Sequence, residues 1–420
     1  MPLLYDIATG LYHAGIRAAA PFKPKARQWV DGRAGLWERL EAKRDALRGC
    51  LWMHCASVGE FEQGRPVLEA IKKARPQLPV LLTFFSPSGY EARKDFPLAT
   101  HVEYLPPDSA GNAMRFVQLV QPKTVVFIKY EFWYHHLHAL KKAGVPTHLV
   151  SAVFREGQPF FRWYGRAWRQ MLGCYTHIFT QDEVSRGLLL NIGVKNVLVS
   201  GDTRFDRVNA IAHEAGDLPI ASAFKGGQPA IVCGSTWPED EALLLEAFAR
   251  LLQPLKLIIA PHEMDEAQLR KLEERFLKPL VRWSELEGID PTNIASTLGQ
   301  ERSGTLLVDR MGLLARLYAH GEVAYVGGGF GDGIHSLLEA AAWGKPVIFG
   351  PRHIKFAEAR GLIECGGGFE VRDASELQSI IHRLLSEPAT LAKASNAAGG
   401  FVHQRTGATV AVMNRLLGSL

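Results

Sequence analysis

At 420 residues the chain is too long for one typical hydrophobic core, so two domains of about 200 residues each are expected. Apolar residues at 47% and charged residues at 22% are ordinary for a soluble globular protein and exclude long disorder. A net charge of +5 suits an anionic substrate or surface, but no RNA-binding signature, zinc-ligand spacing or long basic run points to nucleic acid.

The first segment, "LLYDIATGLYHAGIRAAAPF", is apolar and helical in pattern. Asp6, His13 and Arg17 interrupt it, so it falls short of a transmembrane span, and it lacks the basic start and cleavage pattern of a secretory signal. Two readings stay open. Leu3, Leu4, Ile7 and Leu11 could lie in a membrane interface, with Lys23, Lys25 and Arg27 meeting anionic headgroups. Alternatively, the helix packs on the protein's own core.

Strand-like runs then alternate with helical patterns: "LWMHC", "VLLTFF", "HVEYL", "TVVFIK", "THLVSAV", "HIFTQ" and "VLVSG". Alternation of this kind predicts a parallel sheet covered on both faces. A polar, turn-rich stretch follows at 206–228, and the pattern restarts with "AIVCG", "LKLIIAP", "TLLVD", "EVAYVGG" and "PVIFGP". The expected organisation is an N-terminal helix at 1–22, a Rossmann-like domain at 23–205, a linker at 206–228 and a second Rossmann-like domain at 229–400. A last helix at 401–420 is expected to pack back toward the first domain. Two such domains place ligands at strand C-terminal ends, here facing a shared cleft. The five cysteines form no CxxC pair, and most lie in apolar runs, which reads as reduced core thiols.

Polar residues cluster where these strands end. In "HCASVGEFEQG", Glu60 follows a glycine at a strand-to-helix junction, where it is either a helix-start charge or a base. "FIKYEFWYHHLHAL" sets Lys129, Glu131 and Trp133 at alternating positions, and the three histidines after them lack the further ligands a metal site needs. Arg204 in "GDTRFDR" could reach a phosphate or pair with Asp202 or Asp206. "IVCGSTWPEDE" and "LIIAPHEMDE" would project Ser235, Thr236 and His262 from strand ends, while Glu239 and Glu241 fit first-turn helix charges.

"YVGGGFGDGIHSLLEAAAWGKPVIFGP" carries five glycines in seven residues before a helix expected to begin near Ser336. Such a loop lets backbone approach a phosphate or sugar nucleotide, although neither GxGxxG nor a P-loop is present. Glu339 would complete a capping box with Ser336 or bond both hydroxyls of a ribose. No DxD occurs, so the usual metal handle for a sugar diphosphate is missing.

Together these motifs resemble the 3-deoxy-D-manno-oct-2-ulosonic acid (Kdo) transferases of lipopolysaccharide biosynthesis, across nearly the whole chain. The resemblance rests on "WMHCASVGE", "KYEFW", "SGDTRFD", "CGSTWPEDE", "APHE" and "GGGFGDGIHSLLEAAAWGKPVIFGP", in that order. It implies a GT-B glycosyltransferase that moves Kdo from CMP-Kdo to a lipid A precursor with inversion, using neither metal nor cofactor. It also implies attachment to the anionic cytoplasmic face of the inner membrane. By the same resemblance Glu60 is the general base, with Ser57, Gly59, Lys129 and Glu131 on the acceptor or sugar side. Arg204, Ser235, Thr236, His262, Gly329, Gly331, Gly333, Ser336 and Glu339 match donor-contacting positions. The chain departs from the common pattern at Tyr134 and His135, where many members have Pro-Asn. It departs again in "GDTRFD" and in "HSLLEA", where Ser336 and Ala340 replace Asn and Pro. The positive helix end is expected to depress the pKa of Glu60. Other GT-B enzymes using a UDP-sugar, such as a lipid A disaccharide synthase or an epimerase, are the nearest alternatives. A catalytically silent sugar-nucleotide-binding protein is a further one.

Overall fold

The computed structural model describes residues 2–214, 216–251, 253–276 and 278–420. The chain forms two compact units, one from residues up to Arg207 together with Thr406–Leu420, the other from Val208–Arg405.

In the first unit seven strands pair in parallel: β1 (Leu51–Cys55), β2 (Val80–Phe84), β3 (His101–Tyr104), β4 (Thr124–Ile128), β5 (Thr147–Ala152), β6 (His177–Thr180) and β7 (Val197–Val199). Their order is β3-β2-β1-β4-β5-β6-β7. Every residue of β1, β2 and β4 is buried, because helices cover both faces and alternation is lost. The chain leaves β1 toward β2 on one side and reaches β4 on the other. The β1 and β4 ends therefore flank the switch point where such sheets hold ligands.

The second unit repeats the design with β8 (Ala230–Thr236), β9 (Lys256–Pro261), β10 (Leu280–Arg282), β11 (Gly304–Leu307), β12 (Val323–Val326), β13 (Val347–Phe349) and β14 (Gly368–Glu370). Their order is β10-β11-β9-β8-β12-β13-β14, so the switch point lies between β8 and β12. The sequence reading did not anticipate β10 and β14. Both are three-residue edge strands, LVR and GFE, whose charged residue leaves no continuous apolar run to mark them.

The segment 206–228, read as a polar linker, carries most of a helix at Thr203–Glu214 and another at Pro219–Lys225. The last long helix, Ala408–Leu416, buries Val412, Met413 and Leu416 in the core of the first unit. Asp206 fastens its start by accepting Gly407 N–H and Thr409 N–H, both at 2.6 Å. Four cysteines are buried and Cys365 is exposed.

No helix among the described residues is long and apolar enough to cross a membrane. The N-terminal helix, Pro2–Ala19, is instead held along one side. Tyr5 Oη donates to Asp108 at 2.6 Å, Asp6 pairs with His135, and His13 stacks on Trp29. Its aliphatic residues face outward, with Leu3 72% and Leu4 69% exposed.

Candidate functional site

Glu60 stands at the third position of the Val58–Ala74 helix, directly beyond the β1 end. Ser57 is the N-cap, and the two residues form a reciprocal capping box. Glu60 Oε2 accepts Ser57 N–H at 2.9 Å and Ser57 Oγ–H at 3.3 Å. Among the described residues nothing donates to Glu60 Oε1. Gly59 is exposed, and a side chain there would meet nothing within 4 Å.

The pKa of Glu60 is raised, not depressed as the helix start suggested. Burial is the largest cause and the charge of Glu131 adds to it; together they outweigh the lowering by His54 and by the Ser57 hydrogen bonds. A helix-end argument counts only the local dipole, whereas the carboxyl sits in a half-buried pocket beside a second carboxylate.

That second carboxylate, Glu131, follows β4 and is 1% exposed. Its Oε1 accepts Ala56 N–H at 3.1 Å, Trp133 Nε1–H donates to Oε2, and His54 Nε2 lies 3.2 Å from Oε2. Lys129, two residues earlier, adopts φ +73° where the chain turns off the strand, and its ammonium lies 5.3 Å from the Tyr130 ring centroid.

The three histidines beyond Trp133 go to separate tasks. His135 pairs with Asp6, His136 Nδ1 with Asp108, and His138 Nδ1 bonds Tyr134 O at 2.7 Å. Buried Asp108 also accepts His135 N–H and His136 N–H, capping the Tyr134–Lys142 helix. Arg204 belongs to the first unit and makes an ion pair with Asp202: Nε at 2.9 Å and the terminal nitrogen at 2.8 Å from Oδ2. Its neighbour Thr203 hydrogen-bonds Gln63 O, which sets the Arg204 turn against the helix that carries Glu60.

In the second unit Ser235 takes φ +52° at a register shift in β8, and its side chain is half-buried. Thr236 is buried and donates to Glu241 Oε1 at 3.3 Å. Glu241, expected to be a solvated first-turn charge, is 2% exposed and pushed up to about 7, chiefly by burial. The sequence showed that it lies in the first turn but not which side of the helix is covered. His262 stacks on both Trp237, with centroids 4.4 Å apart, and His335, at 4.6 Å, and these two rings lie side by side with Trp237 Nε1 donating to His335 Nε2 at 3.0 Å. Sequence reasoning singled out neither Trp237 nor His335. Their signal is only that each occupies a strand-end loop flanking the β8–β12 switch point.

Asp240 ties these loops together, accepting Tyr325 Oη–H at 2.7 Å, Gly328 N–H at 2.8 Å and Trp237 N–H at 2.9 Å. Much of the glycine content answers to this packing. A Cβ at Gly329 would lie 2.6 Å from Gly350 Cα, and Gly333 holds φ +134°. At Gly331 the nearest atom would be 3.8 Å away, so only there is the loop open. The helix after the loop is Leu338–Ala342, with Leu337 as its N-cap. Exposed Ser336 therefore makes no capping box with Glu339, which is half-buried in the first turn. The five-residue helix starts two residues later than expected, with no side-chain cap at its start.

Two seven-stranded parallel sheets, each with polar and glycine-rich turns at its switch point, define the GT-B-like class of α/β enzymes. Structures of that fold lie close to this one. UDP-GlcNAc 2-epimerase from Neisseria meningitidis, bound to UDP-GlcNAc, matches with TM-score 0.59 and 15% identity over 88% of this chain and 99% of that one. A putative UDP-N-acetylglucosamine 2-epimerase from Listeria monocytogenes matches with TM-score 0.56 and 14% identity over 88% and 96%. These likenesses fix the fold.

Sequence similarity goes further. A family model described as 3-Deoxy-D-manno-octulosonic-acid transferase (kdotransferase) matches residues 30–207. The 3-deoxy-D-manno-octulosonic acid transferase of Aquifex aeolicus (strain VF5) is 30% identical over 81% of this chain and 87% of its own length. That of Bordetella pertussis is 29% identical over 97% and 98%. The chain belongs to the 3-deoxy-D-manno-octulosonic acid transferase family, and it is a glycosyltransferase.

Proposed function

We propose that this glycosyltransferase moves Kdo from CMP-Kdo to a lipid A precursor by one inverting displacement, with Glu60 as general base and without a metal. An acceptor hydroxyl oxygen bonds to the anomeric carbon while the bond from that carbon to the phosphate oxygen breaks. The hydroxyl proton passes to Glu60, and CMP leaves with the bonding electrons. An alcohol does not ionise near neutral pH, so a placed base contributes typically ~10²–10⁴-fold.

The observation that carries this reading is the Glu60 carboxyl itself. One oxygen is fixed by the Ser57 cap while the other takes no hydrogen bond from the described residues, and burial makes it a stronger base than a solvated carboxylate. On the leaving side, the guanidinium of Arg204, aimed by Asp202, is suited to the phosphate charge. We place the enzyme on the cytoplasmic face of an anionic inner membrane; the outward Leu3, Leu4, Ile7 and Leu11 support only the seating of the N-terminal helix in a membrane interface.

Radiolabelled Kdo transfer to a tetra-acylated lipid A precursor tests the chemistry. Glu60→Ala should abolish transfer yet still bind CMP-Kdo by calorimetry, and normal turnover would remove Glu60 from the mechanism. Activity should survive EDTA; loss restored by Mg²⁺ would argue for a metal-bridged donor. Calorimetry with CMP against UDP separates this reading from a UDP-sugar enzyme.

A further inference from the structure

Glu131 is buried, with 1% of its surface exposed. Its side chain is enclosed by Ala56 N–H, the Trp133 indole and His54, and its backbone oxygen accepts the Tyr175 hydroxyl. His54 is itself fixed, with Nδ1 2.8 Å from Thr83 Oγ1 and 3.1 Å from Thr83 O. A carboxylate so covered is poorly placed to cup a sugar. It holds the Ala56 amide of the turn from which the Glu60 helix starts, and its charge acts on Glu60 across a partly desolvated space.

We propose that Glu131 is a positioning residue that acts on transfer through Glu60, fixing the Ala56–Ser57 turn and holding a second negative charge beside the base. The inference rests on Glu60 being that base. A neighbouring like charge makes a carboxylate bind its proton more tightly, which strengthens a general base so long as it remains ionised at working pH. Among the described residues, His54 and Cys55 on β1 and Tyr175 before β6 also act electrostatically on the pair, and Lys129 lies two residues before Glu131 on its loop. Glu62, on the helix of the base, is paired with Arg93 at 2.8 Å.

The test is the pH dependence of kcat/KM for the full-length wild type, E131Q, E131D and E60Q. Removing the charge in E131Q should move the acid limb to lower pH, with a plateau loss well short of the ~10²–10⁴-fold expected of E60Q. E131D, which keeps the charge, should stay nearer the wild-type limb. A lowered plateau with the limb unmoved in E131Q would mean a merely structural role and would overturn the proposal. Carboxyl ¹³C NMR gives a readout independent of turnover, with the Glu60 signal identified by its loss in E60Q. That signal should titrate at lower pH in E131Q. If E131Q does not fold, E131D carries the test: retracting the charge by one methylene should move the Glu60 titration part of the way down, and no movement refutes the coupling. Wild-type turnover by E60Q would instead remove the base assignment, while the NMR titration would still report whether the two carboxylates are coupled.

Discussion

Glu241 offers a quantitative test of how burial acts in the second unit. It is 2% exposed, with Thr236 Oγ donating to one carboxyl oxygen at 3.3 Å and Gln268 Nε2 to the other at 2.7 Å. Burial, reinforced by the Asp240 charge, lifts its pKa from 4.5 to about 7 against those hydrogen bonds and Arg275. One pH unit corresponds to about 1.36 kcal/mol, so keeping Glu241 ionised at pH 8 costs the fold at most roughly 3 kcal/mol relative to a solvated carboxylate. The sign follows from the raised value. The stabilisation from the protonated form is complete below pH 4.5 and is lost as pH rises through about 7.

Glu241→Gln mimics the protonated form. Its amide oxygen can accept from Gln268, and its amide nitrogen can donate to Thr236. E241Q should therefore be more stable than wild type at pH 8, by up to roughly 3 kcal/mol, and indistinguishable from it near pH 4.5. Urea unfolding across that pH range measures the difference, and hydrogen exchange in the Pro238–Ala249 helix localises it. A variant less stable than wild type at pH 8, or a difference that does not change with pH, would refute the reasoning.

Two further expectations concern packing and surface. Gly329→Ala drives a Cβ to 2.6 Å from Gly350 Cα and should cost roughly 1–3 kcal/mol and weaken nucleotide binding, whereas Gly331→Ala, with 3.8 Å of room, should be close to neutral. Thermal unfolding and nucleotide titration compare them, and equal behaviour would discount the close contact. Replacing Leu3, Leu4, Ile7 and Leu11 by Ser leaves the Tyr5–Asp108 bond in place and should release the protein from vesicles containing anionic lipid. Unchanged co-sedimentation would remove the membrane role from that helix.

All twelve strands anticipated from sequence are present, because a parallel sheet covered on both faces demands short continuous apolar runs that stand out unaided. The two missed strands, LVR and GFE, are three-residue edges that each carry a charged residue and so show no apolar run, unlike the equally short VLV edge of β7. Site residues were legible where they lie in turns at strand ends: Glu60 and its Ser57 cap form the expected strand-to-helix junction. The helix after the glycine loop was misjudged because Ser336 and Glu339 have capping spacing, yet the chain starts its turn at Leu338.

The sequence by itself therefore determined the two α/β units, the strand ends that bear the polar groups and, through its motifs, the family. What it could not determine is how each charge behaves once covered. Spacing along the chain sets which residues share a turn, but burial and non-local partners set ionisation. Only the tertiary structure placed Glu131, 71 residues after Glu60, against Ala56 and His54, and enclosed Glu241 behind Thr236. The stretch "HCASVGEFEQG" identified Glu60; the fold around it decided that its proton is held more tightly than a helix start alone would allow.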